Sequence, residues 1–359
     1  MVEGFLQLIE QRIDIDGRFT DIRRLGADGG GGIFSLMFTA YDRQTGRRVA
    51  IKVFNPTMAT PYRLACFERE IQVLEQLAGQ SDIIGWVAKC STFTETAHSG
   101  GVQFPYVFSY YPVELAMESV AAVLARDGWS AEQKLLGFRA MCRAVQRLHH
   151  AGLVHRDLKP DNFLVMPDKR VKASDFGTAR RLDEPSLQSY GSAPGDLRYT
   201  APELFALLHD VEPQWATVAD IYSLGAILFE LFSGTILDLH LFTRQFLTDL
   251  MSYMAFVPRH SRVAVFDGMI PDFAAAHQLP SLTAFGSSVP RSIAARLDAL
   301  YQTLAALDYR KRLVDFTRIF RQIDICLIII RNEAAYNRWL EEKRRRRVAR
   351  AGVGQGGQP

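Results

Sequence analysis

The 359-residue chain has few of the features that mark secreted, membrane-spanning or zinc-binding proteins. Its four cysteines lie far apart and none belongs to a Cys-x-x-Cys pair, which argues against a disulfide framework or a zinc site and suits a reducing compartment. The N-terminus has no basic stretch ahead of an apolar run, so we expect no secretion signal. The strongly apolar run near the C-terminus, residues 325–330, is too short to span a bilayer. We therefore expect a soluble, cytoplasmic protein.

The chain also has little excess charge, and that excess is local. The formal net charge is +3, from 42 Lys and Arg against 39 Asp and Glu. Six of the basic residues lie within residues 343–350, so the rest of the chain has 36 basic and 39 acidic residues, a balance of −3. Only this segment has enough positive charge to contact nucleic acid, acidic lipid or another acidic partner. The simpler interpretation is that the segment is a run of solvated charges without a partner. We expect disorder past Arg347.

Strand patterns dominate the first part of the chain. Three runs of strand character occupy residues 19–54, and residues 42–46 separate the last two as a hairpin turn would. In the third run, strict alternation places Ala50 and Lys52 on one face of the strand. A helix is then predicted over residues 64–77. Its apolar stripe consists of Leu64, Phe67, Ile71, Leu74 and Leu77, and Glu70 lies inside it.

The rest of the chain is predicted to be helical. Apolar residues recur at helical spacing over residues 135–148 and again over 217–232. Residues 235–290 are predicted to form irregular helical structure, and the sequence has no repeat with a period of tens of residues.

Five short motifs occur in a fixed order. A cluster of five glycines lies within residues 26–32, and "VAIK" follows at 49–52. "HRDLKPDN" occupies 155–162, "DFG" begins 13 residues after Asn162, and Glu203, 28 residues after Asp175, closes "APE". Together the motifs resemble those of the eukaryotic-type (Hanks-type) serine/threonine protein kinases.

The resemblance covers roughly residues 19–325 and implies a bilobal α+β fold. We expect a small, β-rich N-lobe with one main helix and a larger, α-helical C-lobe. The implied divisions are an N-terminal extension over 1–18, the N-lobe over 19–111, the C-lobe over 112–330 and a basic, partly disordered tail over 331–359.

The resemblance also assigns roles in phosphoryl transfer, a reaction that mainly requires positioning of the reactants and neutralisation of charge. Asp157 is implied as the base that orients the attacking hydroxyl, and Lys159 as a contact to the transferred phosphate. Asn162 and Asp175 supply the oxygen ligands that Mg²⁺ prefers, with Mn²⁺ as a possible substitute.

Lys52 and Glu70 are implied as an ion pair. The long side chain of Lys52 would reach the α- and β-phosphates of ATP, while the small Ala50 on the same face leaves room for the flat base. Glu70 lies inside an apolar stripe, where a carboxylate needs a cationic partner. Glu68 is the alternative partner if the helix has a different register.

The remaining nucleotide contacts follow from counting back from Lys52. The three glycine positions of the family's phosphate-covering loop fall at Gly30, Gly32 and Ser35. Met37 occupies the position that covers the adenine, and Leu164 is implied as a further contact to the bound nucleotide. Ser35 replaces the third glycine.

Several residues outside the motifs are implied to support the site. Asp220 lies in an apolar run and is expected to accept hydrogen bonds from the backbone of residues 155–157. Glu203 is expected to pair with Arg312, with Arg310 as an alternative. Arg156 is implied to bind a phosphorylated residue in the activation segment. The candidates for that residue are Ser186, Ser189, Tyr190 and Ser192.

Two stretches depart from the family pattern. Asp196 stands where most family members have a threonine, so a second carboxylate near Asp157 is expected to repel it. Residues 106–114 correspond to the connection between the lobes, with Ser109 where an acidic residue is usual and Phe108 placed against the back of the nucleotide pocket.

The sequence therefore predicts a Mg·ATP-dependent serine/threonine protein kinase that acts on protein substrates and phosphorylates its own activation segment. A pseudokinase that serves as a nucleotide-binding scaffold is one alternative, suggested by Ser35 and Asp196. A kinase-fold enzyme that phosphorylates a small molecule is another. The presence of Lys52, Asp157 and the other motif residues argues against the first alternative, and the "RDLKP" and "APE" motifs argue against the second.

Overall fold

The computed structural model describes residues 2–26, 35–99, 102–183, 195–208, 214–285 and 289–353. The strands in chain order are β1 (Asp14–Ile15), β2 (Phe19–Arg24), β3 (Ser35–Asp42), β4 (Arg47–Phe54), β5 (Ser91–Ser99), β6 (Val102–Glu114), β7 (Glu118–Ser119), β8 (Leu153–Val154), β9 (Phe163–Val165), β10 (Val171–Ala173) and β11 (Arg180–Arg181). The helices are α1 (Val2–Glu10), α2 (Pro61–Gln76), α3 (Val120–Ala125), α4 (Ala131–His150), α5 (Pro202–Phe205), α6 (Gln214–Ser233), α7 (Asp238–Leu241), α8 (Arg244–Phe256), α9 (Arg262–Ala276), α10 (Ala294–Leu304) and α11 (Phe316–Val353).

The small lobe is a six-stranded antiparallel sheet in the order β1-β2-β3-β4-β6-β5. The predicted hairpin joins β3 to β4, and Gly46 in its turn has φ +67°, a conformation that favours glycine. Helix α1 packs on the sheet through Phe5, Leu6 and Ile9, all of them buried. Full burial of such a side chain contributes about 1.5–3 kcal/mol, so α1 is a substantial part of this lobe's core.

Strand β4 is buried on both faces, and its residues alternate between them as the sequence predicts. Val49, Ile51 and Val53 belong to the core that α1 covers, whereas Ala50 and Phe54 belong to the core that α2 covers. Lys52 is therefore on the face that the large lobe also approaches.

Helix α2 begins at Pro61, three residues before the predicted start. Thr60 caps it by accepting a hydrogen bond from the backbone N–H of Arg63, and a proline is tolerated in the first turn. The prediction that Leu64 lies on the buried stripe is wrong, because its side chain is 42% exposed. The buried face is centred on Phe67 and Glu70, and Leu64 projects away from that centre.

Helices α4 and α6 form the centre of the large lobe. Ser130 and Gln133 form a reciprocal capping box at the start of α4. Residues Trp215–Ser233 of helix α6 form a stretch that could cross a membrane, judged by its length and composition alone. However, 78% of this stretch is buried inside the protein. Such a helix is the core helix of a globular lobe.

The predicted irregular helical region contains α7, α8 and α9 together with short 3₁₀ turns. The expected disorder past Arg347 is wrong for residues 348–353, because α11 continues to Val353. The preceding residues 341–347 are Glu, Lys and Arg, which have high helix propensity, and residues 349–351 (Ala, Arg, Ala) also favour continuation of the helix.

Candidate functional site

Lys52 lies at the meeting point of the two lobes. Its Nζ is 2.6 Å from Oε2 of Glu70 on α2 and 3.1 Å from Oδ1 of Asp175. Glu70 is 5% exposed, whereas Glu68 is exposed on the same helix. The structure therefore contains the predicted Lys52–Glu70 pair and excludes Glu68 as the partner in this arrangement.

The charges in this cluster depend on one another. Lys52 lowers the pKa of Asp175 below its ordinary value and thereby keeps it ionised. Burial raises the pKa of Glu70, against the opposing charge of Lys52. Burial alone would lower the pKa of Lys52, but the charges of Asp175 and Glu70 raise it. Lys52 is therefore a fixed cation between two acidic side chains.

The loop that follows β8 is held by Asp220 from helix α6. The buried Asp220 carboxylate accepts hydrogen bonds from the backbone N–H of His155 at 2.9 Å and of Arg156 at 3.0 Å. It also lies 3.0 Å from Nε2 of His149. Arg156 has φ +66°, which is unfavourable for a non-glycine residue and needs such external support. The predicted role of Asp220 in shaping this loop agrees with these contacts.

The Asp157 carboxylate has three partners among the described residues. Its Oδ1 accepts a hydrogen bond from the backbone N–H of Asp196 at 2.7 Å. Its Oδ2 accepts one from Nδ2 of Asn162 at 3.1 Å and lies 3.3 Å from Nζ of Lys159. Burial raises the pKa of Asp157, and the charge of Lys159 opposes that change. These contacts fix the orientation of a carboxylate that still faces the cleft.

The carboxylate of Asp196 is neutralised by a residue that the sequence analysis missed. Arg198 donates two hydrogen bonds to it, at 3.0 and 2.7 Å. Burial would raise the pKa of Asp196, but the bonds from Arg198 lower it. The carboxylate is also 3.8 Å from Nζ of Lys159. The expected repulsion with Asp157 is therefore compensated locally, and the Asp-x-Arg spacing is the signal that could have revealed it.

Gly195 is required for the same contact. It has φ +81°, and a Cβ there would collide with the carbonyl oxygen of Arg156. The close approach lets the next residue, Asp196, direct its N–H at Asp157.

Asn162 and Asp175 are joined through Ser174. Ser174 donates to the carbonyl oxygen of Asn162 from both its backbone N–H, at 2.9 Å, and its hydroxyl, at 3.0 Å. Half of the side-chain surface of Asp175 is open to the cleft. Among the described residues no group of three or more His, Cys, Asp or Glu could hold a metal. A site with one carboxylate and one amide oxygen fits Mg²⁺, which keeps waters and binds substrate phosphates.

The other described nucleotide-binding candidates lie on strands β3, β4 and β9. Met37 is directly opposite Lys52, and Ser35 begins the same strand, β3. Ala50 is buried on β4, and Leu164 is half-buried on β9 and pairs with Ser119. Gly30 and Gly32 lie outside the described residues. The candidate phosphorylation sites, Ser186, Ser189, Tyr190 and Ser192, also lie outside them.

The prediction that Phe108 lies against the back of the nucleotide pocket is wrong. Phe108 lies on the opposite face of the sheet, fully buried under α1, and Ser109 is next to it within β6. Val113 is the residue directly opposite Ala50, on the nucleotide side of the sheet. The acidic residue at the end of β6 is Glu114. Which residue faces Ala50 depends on the pairing register of two strands distant in sequence, and no local motif specifies it.

Glu114 attaches the inter-lobe connection to both lobes. Its backbone N–H donates to the carbonyl oxygen of Gly85 at 2.9 Å, and its carboxylate pairs with Lys172 of β10. Three residues later the N–H of Met117 donates to the carbonyl oxygen of Val165 at 2.9 Å. The segment from Glu114 to Met117 is thus the edge of the cleft next to Ala50 and Val113.

Glu203 and Arg312 form a fully buried ion pair. Both side chains have no exposed surface, and Nη2 of Arg312 lies 2.9 Å from Oε2 of Glu203. Arg310, the alternative partner, instead donates to Asp308 at 2.8 Å. The end of the "APE" segment is therefore attached to the residues that precede α11.

Comparisons with known proteins agree with this geometry. The profile of the protein kinase domain family matches residues 23–313. The serine/threonine-protein kinase PknA of Mycobacterium tuberculosis is 34% identical over 225 residues, which cover 62% of this chain and 48% of that protein. Serine/threonine-protein kinase drp72 of Corynebacterium efficiens is 30% identical over 207 residues, covering 57% of this chain and 37% of that protein. The chain thus spans half or less of the length of these relatives.

Proposed function

This chain belongs to the protein kinase family, and on that premise we propose that it transfers the γ-phosphoryl group of Mg·ATP to serine or threonine hydroxyls of proteins. The observation that carries the proposal is the convergence of two groups at one cleft. Lys52, Glu70 and Asp175 form one group, and Asp157 and Asn162 belong to the other. In the proposed function, the first group would bind the triphosphate and the second would face the acceptor hydroxyl.

In the proposed mechanism, the chain's own residues mainly position the reactants. Lys52, fixed by Glu70, binds the α- and β-phosphates as a cation. Mg²⁺ held by Asn162 and Asp175 would neutralise charge on the β- and γ-phosphate oxygens. Met37, Ala50 and Leu164 would enclose the base.

Asp157 then acts on the acceptor hydroxyl. Its orientation is set by the N–H of Asp196 and the amide of Asn162, so that its carboxylate orients the hydroxyl and accepts its proton. Lys159, beside it, balances charge that develops on the transferred phosphoryl group. The raised pKa of Asp157 makes it a better proton acceptor than an ordinary exposed aspartate.

Two observations favour a protein substrate with active transfer over the alternatives. A pseudokinase scaffold would not need Asp157 in contact with both Lys159 and Asn162. A small-molecule phosphotransferase would not need the "APE" segment that Glu203 and Arg312 anchor.

Transfer of labelled phosphate from ATP by the full chain, to itself and to a generic protein substrate, tests the proposal. We expect phosphoserine or phosphothreonine in the products. Asp157→Asn should abolish the signal, whereas Asp168→Asn, an exposed carboxylate in the β9–β10 turn, should leave it unchanged. Transfer only to small alcohols, or transfer that survives Asp157→Asn, would contradict the proposal.

A further inference from the structure

Helix α1 belongs to the N-terminal extension, and the mechanism above does not use it. Phe5, Leu6 and Ile9 are each at most 3% exposed. The ring of Phe5 also lies edge-on against Tyr106 and Phe108, with centroid distances of 4.7 and 5.3 Å. These contacts give α1 a fixed position on the face of the sheet that is turned away from the cleft.

Glu10, the last residue of α1, lies beside the outer edge of β2. Strand β1 is the neighbour of β2 at that edge, but its pairing with β2 ends at Thr20. The far end of β2 pairs with β3 on its other side, where Arg24 is opposite Phe38. A backbone N–H that points outward from this end of β2 therefore needs an acceptor other than β1.

The Glu10 carboxylate is that acceptor. One of its oxygens accepts a hydrogen bond from the backbone N–H of Arg24 at 3.0 Å, and the other accepts one from Nε of Arg24 at 2.6 Å. Glu3, two turns earlier on α1, lies 2.7 Å from Nη1 of Arg24, but its side chain is 62% exposed. Glu10 thus holds both the backbone and the side chain of Arg24, whereas Glu3 pairs with the guanidinium.

The end of β2 that Glu10 holds is bonded in turn to a proposed nucleotide contact. The backbone N–H of Leu25, the residue after Arg24, donates to the carbonyl oxygen of Met37 at 3.0 Å. Met37 is directly opposite Lys52 in the β3–β4 pairing. A short run of covalent and hydrogen bonds therefore connects α1, on one face of the sheet, with the cleft on the other.

We propose that Glu10 is a positioning residue: its carboxylate fixes the backbone of Arg24 and so holds the end of β2 where Leu25 supports Met37 beside the bound nucleotide. The inference rests on the proposed nucleotide role of Met37. Without the Glu10 carboxylate, water would replace it as the acceptor for Arg24, and the end of β2 would open more often. Nucleotide binding would then have to order this end again, which weakens the affinity.

Glu10→Ala is the informative variant, and Glu3→Ala is its matched control. Each removes one α1 carboxylate from Arg24, but Glu10 is the one bonded to the backbone. We expect the dissociation constant for Mg·ATP to rise about fivefold to tenfold in Glu10→Ala, the effect of losing one hydrogen bond to a charged group. KM for ATP should rise similarly, with kcat changed less, because Glu10 touches neither substrate.

Glu3→Ala should change the dissociation constant by less than about twofold, since it removes an exposed ion pair. An equal loss of affinity in Glu3→Ala and Glu10→Ala would mean that the charge of α1, and not the bond to the backbone, is responsible. That result would overturn the inference.

Arg24→Ala separates the backbone bond from the ion pairs. This variant keeps the N–H that donates to Glu10 and loses the guanidinium that both glutamates bind. Its affinity for Mg·ATP should therefore resemble that of Glu3→Ala. A loss as large as that of Glu10→Ala would show that the side chain of Arg24 carries the effect, and it would also overturn the inference.

Hydrogen exchange of the Arg24 amide, measured by NMR without nucleotide, separates this inference from the proposed function. Glu10→Ala should accelerate that exchange by about tenfold, whereas Glu3→Ala should not. Unchanged exchange in Glu10→Ala would overturn the role of Glu10 even if the chain is an active kinase. Failure of the unsubstituted chain to bind Mg·ATP would contradict the proposed function, and the exchange result would still decide whether Glu10 holds the end of β2.

Discussion

At the scale of single residues, the Asp196–Arg198 pair shows how the site tolerates a departure from its family. A carboxylate beside Asp157 and Lys159 would compete for the lysine and disfavour ionisation of Asp157. Arg198 binds that carboxylate with two hydrogen bonds and supplies the compensating charge. We therefore expect the effects of Asp196 and Arg198 on activity to depend on each other.

Replacing Arg198 by Ala should lower kcat several-fold, because Asp196 is then left with Lys159 as its nearest cation. Adding Asp196→Thr to that variant should restore most of the activity. Initial rates of labelled phosphate transfer would measure both effects. If the double variant is no better than Arg198→Ala alone, the compensation described here is wrong.

Lys159→Ala tests the electrostatics of Asp157 through the pH dependence of the reaction. Burial raises the pKa of Asp157. Charge interactions with Lys159 and His155 lower this pKa, and the charge of Asp175 raises it further. Because the base must be ionised, activity should rise with pH through that pKa, and loss of Lys159 should move the acid limb of the kcat profile to higher pH.

Lys169→Ala, in the turn between β9 and β10, is the control for that experiment and should leave the limb in place. A limb that shifts to lower pH in Lys159→Ala, or does not move, would exclude Lys159 as the cation that sets the ionisation of Asp157.

At the scale of elements, the buried Glu203–Arg312 pair attaches α5 to the residues before α11. Removal of one partner leaves the other charge buried without compensation. Arg312→Ala should therefore lower the free energy of unfolding by about 3–5 kcal/mol. Arg310→Ala removes a pair whose arginine is half exposed, and it should change the free energy of unfolding much less than Arg312→Ala does. Denaturant titration measures the free energy of unfolding of both variants. Equal losses would show that the buried pair contributes no more to stability than the exposed one.

The same scale shows which features the sequence could predict. The Lys52–Glu70 pair and the contacts of Asp220 are implied by the family resemblance, the hairpin between β3 and β4 follows from its turn, and the structure contains all three. The prediction for Phe108 was wrong, because the position of Val113 opposite Ala50 depends on strands that are about 60 residues apart in the chain. Arg198 was missed because its role appears only when Asp196 is seen to approach Asp157.

At the scale of the whole molecule, α11 attaches to the large lobe along only part of its length. Arg139 pairs with Asp324 at 2.7 Å, and Arg331 pairs with Glu132 at 2.7 Å. Further along, Tyr336 and Trp339 are more than half exposed. The basic segment 343–350 is therefore at the end of a helix that has already left the lobe.

Deletion of residues 343–359 should change the charge of the chain without unfolding it. The remainder has 36 basic and 39 acidic residues, so its net charge becomes −3. We expect the full chain to shift on nucleic acid or on acidic lipid vesicles at low salt, and the truncated chain not to shift, with equal melting temperatures. Equal binding by the two chains would show that the basic segment is not responsible.

The central claim is that the cleft beside Asp157 is a catalytic centre, and single-turnover transfer with parallel measurement of ATP binding tests it most directly. At saturating Mg·ATP, Asp157→Asn should retain nucleotide affinity, because Lys52, Glu70 and Asp175 are untouched, while the rate of transfer falls by at least about a hundredfold. A variant that binds ATP and transfers phosphate at an unchanged rate would contradict the account.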